Sequence, residues 1–160
     1  MKTYSSDDPR LTFRKSGPKI GGYGLTEKPV QKSLEVSVIF TNVAGTEAAL
    51  EMAKRLAKEL GARVQLLMPY EVPYALHLEE PQVPAEFLAT RLRDLATHAG
   101  MEIDANLYLC RDRVRTLRHV LRPNSLVIVG GKKRWWPTPE QRMERALSQD
   151  GHIVVFTELR

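Results

Sequence analysis

The sequence has a single cysteine, Cys110, and no apolar run long enough to cross a bilayer. One cysteine excludes a disulfide within the chain, and a membrane-spanning helix needs about 20 apolar residues in succession. The segment from Met1 to Ile20 also lacks the apolar centre of a secretory signal. We therefore expect a cytoplasmic protein with no membrane partner, and its 160 residues are enough to bury a core without disulfides or metal.

Patterns of known catalytic and metal chemistry are missing as well. No Gly-x-Ser-x-Gly nucleophile elbow is present, and no Gly-Lys-Ser or Gly-Lys-Thr completes a P-loop. Nearby arginines would activate Cys110 if it were exposed, but we expect a buried or edge-strand thiol without a chemical role. The histidines have no metal-ligand spacing to one another, to the cysteine or to an acid, so we expect neither an enzyme nor a metal site. They are His77, His98, His119 and His152.

Positive charge is abundant but unevenly distributed. The net charge is +5, and residues 111–145 hold 10 basic and 3 acidic side chains, against 6 and 11 in residues 34–110. A local excess of this kind indicates an anionic partner. The alternative is a solvated helix face followed by a basic loop.

Residues 1–33 differ from the rest of the chain. They are rich in serine, glycine, lysine and proline, carry 7 basic and 3 acidic side chains, and show no sustained apolar period. Such a segment buries too little apolar surface to offset the entropy lost on ordering it. We predict a flexible basic N-terminal tail over residues 1–33, able to dock on a neighbouring subunit, and one α/β domain over residues 34–160.

From residue 34 onward, predicted strands and helices alternate. Short β-branched or alternating runs predict five strands, and apolar residues at three- and four-residue steps predict four helices. The alternation from Ile103 to Leu109 predicts a half-exposed edge strand, whereas the run from Leu126 to Val129 predicts a buried central strand. Such an order indicates a parallel sheet with right-handed helical crossovers covering both faces. The predicted strands are 36–40, 64–68, 103–109, 126–129 and 153–156, and the predicted helices end near Gly61, Gly100, Pro123 and Gly151.

A ligand site is expected where two loops meet. Ligands of open parallel sheets bind beyond the carboxyl ends of the strands, where the strand order reverses. If the first and fourth strands are neighbours, loop 41–46, which precedes a helix N-terminus, faces loop 130–134, which has two glycines and three cations. The third strand ends at the same edge, in Arg111-Asp112-Arg113. These features predict a site for a nucleotide or another phosphate ligand, unless Gly-Gly is only a tight turn. The candidate residues are Thr41, Asn42, Gly45, Thr46, Gly130, Gly131, Lys132, Lys133 and Arg134.

Two tryptophans follow the basic run. Trp135 and Trp136 could stack on a base, pack onto the sheet or contact a second subunit, and the last two are the commoner roles. With the basic residues from Arg111 to Arg134 they suggest a nucleic-acid-binding or protein-interaction module as an alternative function. Not all arginines from Arg111 to Arg122 share one helix face, which counts against nucleic acid.

Two segments resemble the universal stress protein family: Gly45 to Leu50 after the first strand, and Leu126 to Gly131 in the fourth. The resemblance extends over about residues 34–158. It implies a three-layer α/β/α fold, shared with adenine nucleotide alpha hydrolase-like proteins, with a five-stranded parallel sheet in order 3-2-1-4-5 and four helices. It also implies a homodimer formed through the last strand, with ATP or another adenine nucleotide as the candidate ligand.

The sequence departs from the ATP-binding members of that family at two places. Those members have an aspartate after the first strand, where this chain has Thr41 or Asn42. They also have Gly-x₂-Gly-x₉-Gly followed by Ser or Thr after the fourth strand. Here Gly131 matches the first glycine, but Arg134 stands in place of the second. The resemblance therefore implies a divergent, non-enzymatic regulatory or ligand-binding domain of the stress response, in which ATP binding is lost or altered. A purely structural or assembly role is the third hypothesis.

Overall fold

The computed structural model describes residues 34–159 and two short strands nearer the N-terminus. These strands, β1 (Tyr4–Ser5) and β2 (Thr12–Phe13), pair antiparallel. The rest of residues 1–33 lies outside the described residues, so the flexible tail and its boundary with the domain stay predictions. Within the described residues, none of the helices has the length and apolar character that crossing a membrane requires.

Residues 34–159 form a five-stranded parallel sheet in the order β5-β4-β3-β6-β7. Counted along the chain, this is the order 3-2-1-4-5 that the family resemblance implied. The central strands β3 and β6 are direct neighbours, with Val36 opposite Leu126 and Ile39 opposite Val129. The strands are β3 (Glu35–Ile39), β4 (Arg63–Glu71), β5 (Ile103–Cys110), β6 (Leu126–Gly131) and β7 (Ile153–Glu158).

Four helices cover the two faces of the sheet. They are α1 (Val43–Leu60), α2 (Ala85–His98), α3 (Arg113–Val120) and α4 (Pro139–Gln149). Successive residues of a strand point to opposite faces, so Val38 packs with the α1 and α2 residues, whereas Ile39 packs with Leu117 and Leu147. The result is the predicted three-layer arrangement.

Several elements extend beyond their predicted bounds, and three of these differences change the description of the sheet and of its edge. Helix α1 begins at Val43, so most of the predicted loop 41–46 is its first turn. Strand β6 runs through Gly130 and Gly131, which pair with β7 and are not a turn. Strand β4 continues through Pro69 to Glu71. Because β3 ends at Ile39, no strand lies beside Pro69 on that side, and the missing N–H is tolerated there.

Strand β5 is at the sheet edge, as predicted, but it is not half-exposed. Asn106, Tyr108 and Cys110 were expected to face solvent, yet they are exposed by only 9%, 8% and 6%. Tyr108 packs in one apolar cluster with Leu117 and Leu121, from α3 and the residue after it. The alternation failed as a guide to exposure because the short helix α3 still covers Tyr108, and β2 also lies against β5.

Candidate functional site

The predicted meeting of two loops is confirmed as a contact between α1 and β6. Helix α1 begins at Val43 because Asn42 is its N-cap, with the side-chain oxygen accepting from the Gly45 amide at 2.8 Å. The Thr41 hydroxyl donates to the Gly130 carbonyl at 2.7 Å. The Thr41 amide in turn donates to the buried Thr46 hydroxyl at 3.2 Å. These bonds fix the positive end of the α1 dipole at the carboxyl edge of the sheet.

Two glycines allow this contact, and they leave no gap between the two backbones. A Cβ added at Gly130 would lie 1.8 Å from the Gly45 carbonyl oxygen, and one added at Gly45 would lie 2.6 Å from the Gly130 oxygen. Any larger residue would force the helix and the strand apart. We call this contact the α1–β6 joint. Four of the predicted site residues therefore have a structural role in it: Thr41, Gly45, Thr46 and Gly130.

An open depression lies beside the joint, with a volume of about 490 Å³. The N-termini of two helices border it: Asn42 and Ala44 belong to α1, and Thr138 and Glu140 to α4. The first intrahelical hydrogen bond of α1 runs from Thr46 to Asn42, so the Ala44 amide lies in the turn whose N–H groups have no helical acceptor. Among the described residues, the lining consists of Asn42, Ala44, Lys132, Arg134, Thr138, Pro139, Glu140 and Leu159.

The charges around the depression are mixed but mainly positive. Lys132 and Arg134 line it, are exposed, and have no ion-pair or hydrogen-bond partner within residues 34–159. Lys133 is turned away, with its ammonium 5.9 Å from the centre of the Phe156 ring. Glu140 brings a carboxylate to the same wall. Two cations and two helix N-termini favour an anion here, and Glu140 opposes it.

The α4 side of the depression was not included in the predicted site, although the sequence contained its signal. Thr138 and Gln141 form the capping box that the sequence predicts, with bonds of 2.9 and 3.3 Å. Since the helix after a parallel strand starts at the carboxyl edge, this N-terminus had to lie close to loop 130–134. Gly131 has a structural role here, because a Cβ at that residue would lie 3.3 Å from the Glu140 Cβ.

The arginines at the end of β5 face the same edge, as predicted, but each has internal partners. The Arg111 guanidinium donates to the carbonyl oxygens of Val72, Pro73 and Leu76, and it lies 5.1 Å from the centre of the Tyr74 ring. Arg113 donates to the Phe40 oxygen at 3.2 Å. Both therefore stabilise loops at the sheet edge, and they contribute less to a free basic surface than their sequence position suggests.

Trp135 and Trp136 do not pack onto the sheet, which was one of their three possible roles. Their exposed fractions are 95% and 80%. They do not block the depression either, since neither residue lines it. Stacking on a base and contact with a second subunit remain as roles for these side chains.

Cys110 is buried, and its thiol contacts the Tyr70 carbonyl oxygen at 3.5 Å. Burial raises the pKa of the Cys110 thiol, and the opposing effects of Thr116 and Arg113 are smaller. A thiol that stays protonated is a poor nucleophile. In the part of the chain that the structure describes, no three histidine, cysteine, aspartate or glutamate side chains are grouped as a metal site would require.

Comparison with solved structures identifies the fold. A universal stress protein from Archaeoglobus fulgidus matches with a TM-score of 0.54 and 15% identity, over 77% of this chain and 92% of that chain. A protein from the universal stress protein family from Burkholderia pseudomallei matches with a TM-score of 0.50 and 16% identity, over 82% and 100%. A third match, a universal stress protein in complex with cAMP, has a TM-score of 0.49 and 17% identity, over 79% and 98%.

No protein-family model and no curated protein matches the sequence. At identities of 15% and 16%, the first two structures establish the architecture. The chain therefore has the fold of universal stress proteins, as the sequence resemblance implied. The fold by itself identifies neither a ligand nor an oligomeric state, so both are argued from the residues of this chain.

Proposed function

We propose that this protein is a non-enzymatic regulatory domain that binds a small phosphate-bearing ligand in the depression between α1, β6 and α4. One observation carries the proposal: two helix N-termini and two cations that have no partner among residues 34–159, Lys132 and Arg134, border the same open space. Amides at helix N-termini and cationic side chains are the groups with which proteins bind phosphate. The single, buried cysteine fits the reducing cytoplasm in which we place the protein.

The ligand is expected to be held by its phosphate rather than by its base or sugar. Asn42 uses its side-chain oxygen to cap α1, and Thr41 uses its hydroxyl on Gly130. Neither supplies the carboxylate that would accept from a ribose hydroxyl. We therefore expect the affinity for ATP, ADP and AMP to follow the number of phosphates, with pyrophosphate binding almost as well as ADP.

Replacing both cations tests the proposal. We expect Lys132→Ala with Arg134→Ala to weaken the binding of pyrophosphate and ATP about tenfold, because each exposed cation contributes roughly 0.2–1 kcal/mol. Glu140→Gln should strengthen binding, because it removes the one acidic side chain of the lining. Isothermal titration calorimetry at low salt measures both effects.

The matched control removes two exposed cations that do not line the depression, Lys58 near the C-terminal end of α1 and Arg91 on α2. It should leave the affinity unchanged. An equal loss in this control, or no binding of any phosphate compound by the unaltered protein, contradicts the proposal. Hydrolysis of ATP during the titration would contradict its non-enzymatic part.

We also propose that the protein forms a homodimer through β7, the edge strand beside β6. Ile153 is 63% exposed, while Val154, Val155 and Phe156 are only partly buried. An edge strand of this composition exposes unpaired backbone groups together with apolar surface. We expect Ile153→Lys to yield a monomer in multi-angle light scattering. Leu60→Lys, at an α1 site with 47% exposure, should remain a dimer, and the reverse result would exclude this interface.

A further inference from the structure

The segment between β6 and α4 presents two large aromatic side chains directly to solvent. We call residues 132–136 the basic-aromatic loop: three cations are followed by Trp135 and Trp136, with exposed fractions of 95% and 80%. Neighbouring indoles in water form an apolar patch of the kind that marks a contact surface. These are the only two tryptophans of the protein, so its intrinsic tryptophan fluorescence reports directly on this patch.

Both ends of this loop are anchored. On one side Gly131 pairs with Glu158, and its carbonyl accepts from the Leu159 amide at 2.9 Å. On the other side the loop enters α4 through the Thr138 capping box. The indoles thus extend from a loop that is fixed at both ends, which lowers the entropy lost when a ligand contacts them.

The helical layer next to this loop is basic, unlike the opposite layer. Helices α1 and α2 together hold five basic and five acidic side chains, whereas α3 and α4 hold five basic and two acidic ones. The three cations of the loop add to the second group. Within residues 34–159, positive charge is therefore concentrated on the α3/α4 side and at its rim.

Two exposed arginines of α3 lie on one face. Arg115 and Arg118 are three residues apart, a spacing that places side chains on one side of a helix. Arg122 is exposed as well, but it lies beyond the end of α3 at Val120, after the extended residue Leu121. Arg118 also bonds to Asp150 at 2.6 Å, which joins α3 to the end of α4. Arg111 and Arg113 donate to internal carbonyls instead, so the arginines from Arg111 to Arg122 do not all share one face, as the sequence indicated.

We propose that the α3/α4 face and the basic-aromatic loop together bind single-stranded nucleic acid. Arg115 and Arg122 would contact phosphates, and Trp135 and Trp136 would stack on bases. Single strands are bound in this way, by a cationic track combined with aromatic platforms. The three cations directly beside the indoles favour a polyanion with flat bases over a protein partner, because charged residues are depleted at the core of protein–protein interfaces.

The two tryptophans make a direct test possible. Titration with an oligothymidylate of about 15 nucleotides should quench the intrinsic fluorescence, since stacking occurs on the emitting groups themselves. Trp135→Ala and Trp136→Ala should each weaken the binding of a labelled oligonucleotide roughly five- to a hundredfold. Phe87→Ala, at an exposed aromatic on α2, should have no effect.

The phosphate contacts are tested through the salt dependence. Arg115→Ala with Arg122→Ala should reduce the log–log salt slope of single-strand binding by about 1.4, since each lost phosphate contact removes about 0.7. Lys58→Ala with Arg91→Ala should leave the slope unchanged. None of these variants alters the lining of the depression, so pyrophosphate binding should persist in all of them, and the two proposals can fail separately.

Three outcomes would overturn the inference. The first is no binding at about 50 mM salt, where phosphate contacts are strong. The second is binding that the tryptophan and arginine variants leave unchanged. The third is a blue shift of tryptophan emission with phosphatidylglycerol vesicles and no quenching by oligothymidylate, which would assign the surface to an anionic membrane.

Discussion

Gly130→Ala is expected to destabilise the protein by at least about 3 kcal/mol, because overpacking at a site that cannot relax has the largest cost. The added methyl group would lie 1.8 Å from the Gly45 carbonyl oxygen and 2.6 Å from its carbonyl carbon. Both atoms are backbone atoms of the first turn of α1, so no side-chain rotation relieves the contact. The change in the free energy of unfolding is measured by urea denaturation.

The neighbouring residue provides the control. A Cβ at Gly131 would meet the Phe156 ring at 3.2 Å and the Glu140 side chain at 3.3 Å. Because these are side-chain atoms that can shift slightly, we expect Gly131→Ala to cost less than about 1 kcal/mol. Equal losses in the two variants would mean that the α1–β6 contact is not as close as described.

Arg111→Met is expected to destabilise the protein by about 2 kcal/mol, in the range for hydrogen bonds made by a charged group. The guanidinium donates to three carbonyl oxygens of the segment after β4, with distances of 2.9 Å to Val72 and 2.8 Å to Leu76. Methionine retains much of the apolar stem but donates no hydrogen bond, so the loss reports on these bonds. Hydrogen exchange over residues 72–84 should accelerate in the variant.

Arg115→Met is the matched control, because Arg115 is exposed on α3. Its side chain has no described partner within residues 34–159, and we expect a change within about 0.5 kcal/mol. If both variants lose the same stability, Arg111 does not anchor the loop, and it becomes available as part of a basic surface.

The strand order and the position of the depression could be predicted because both follow from patterns of residues that are close together in the sequence. Apolar periodicity marked every strand and helix of the domain, and the family resemblance supplied the order of the strands. The capping box at Thr138 was predicted with its partner, Gln141, because capping requires only neighbouring residues.

The roles of individual residues around the depression were harder to predict, because they depend on contacts between segments that are far apart in the sequence. Gly130 and Gly45 are 85 positions apart, and the sequence does not show that their backbones touch. Arg111 looked like part of a free cationic run, but its partners lie in a loop that precedes it by about 35–40 residues. The exposure of Trp135 and Trp136 was likewise unpredictable, since large aromatics are buried more often than not.

The predicted site residues fall into two groups because the backbones of Gly45 and Gly130 are in direct contact. Residues that adjoin the α1–β6 joint use their polar groups internally, whereas Lys132 and Arg134 extend beyond it into the depression. At Thr41 and Asn42, the departure from the ATP-binding pattern coincides with side chains that bond within the fold. A carboxylate at residue 41 would remove the hydroxyl that donates to the Gly130 carbonyl, whereas one at residue 42 could cap α1 as Asn42 does.

Amide chemical-shift mapping tests the central claim most directly. Pyrophosphate is titrated into the ¹⁵N-labelled protein at low salt. The proposal predicts that the largest shifts occur at Ala44, Lys132, Arg134 and Glu140, with little change in α2. Saturable shifts centred on α2 or on β7, with none at the N-termini of α1 and α4, would contradict it.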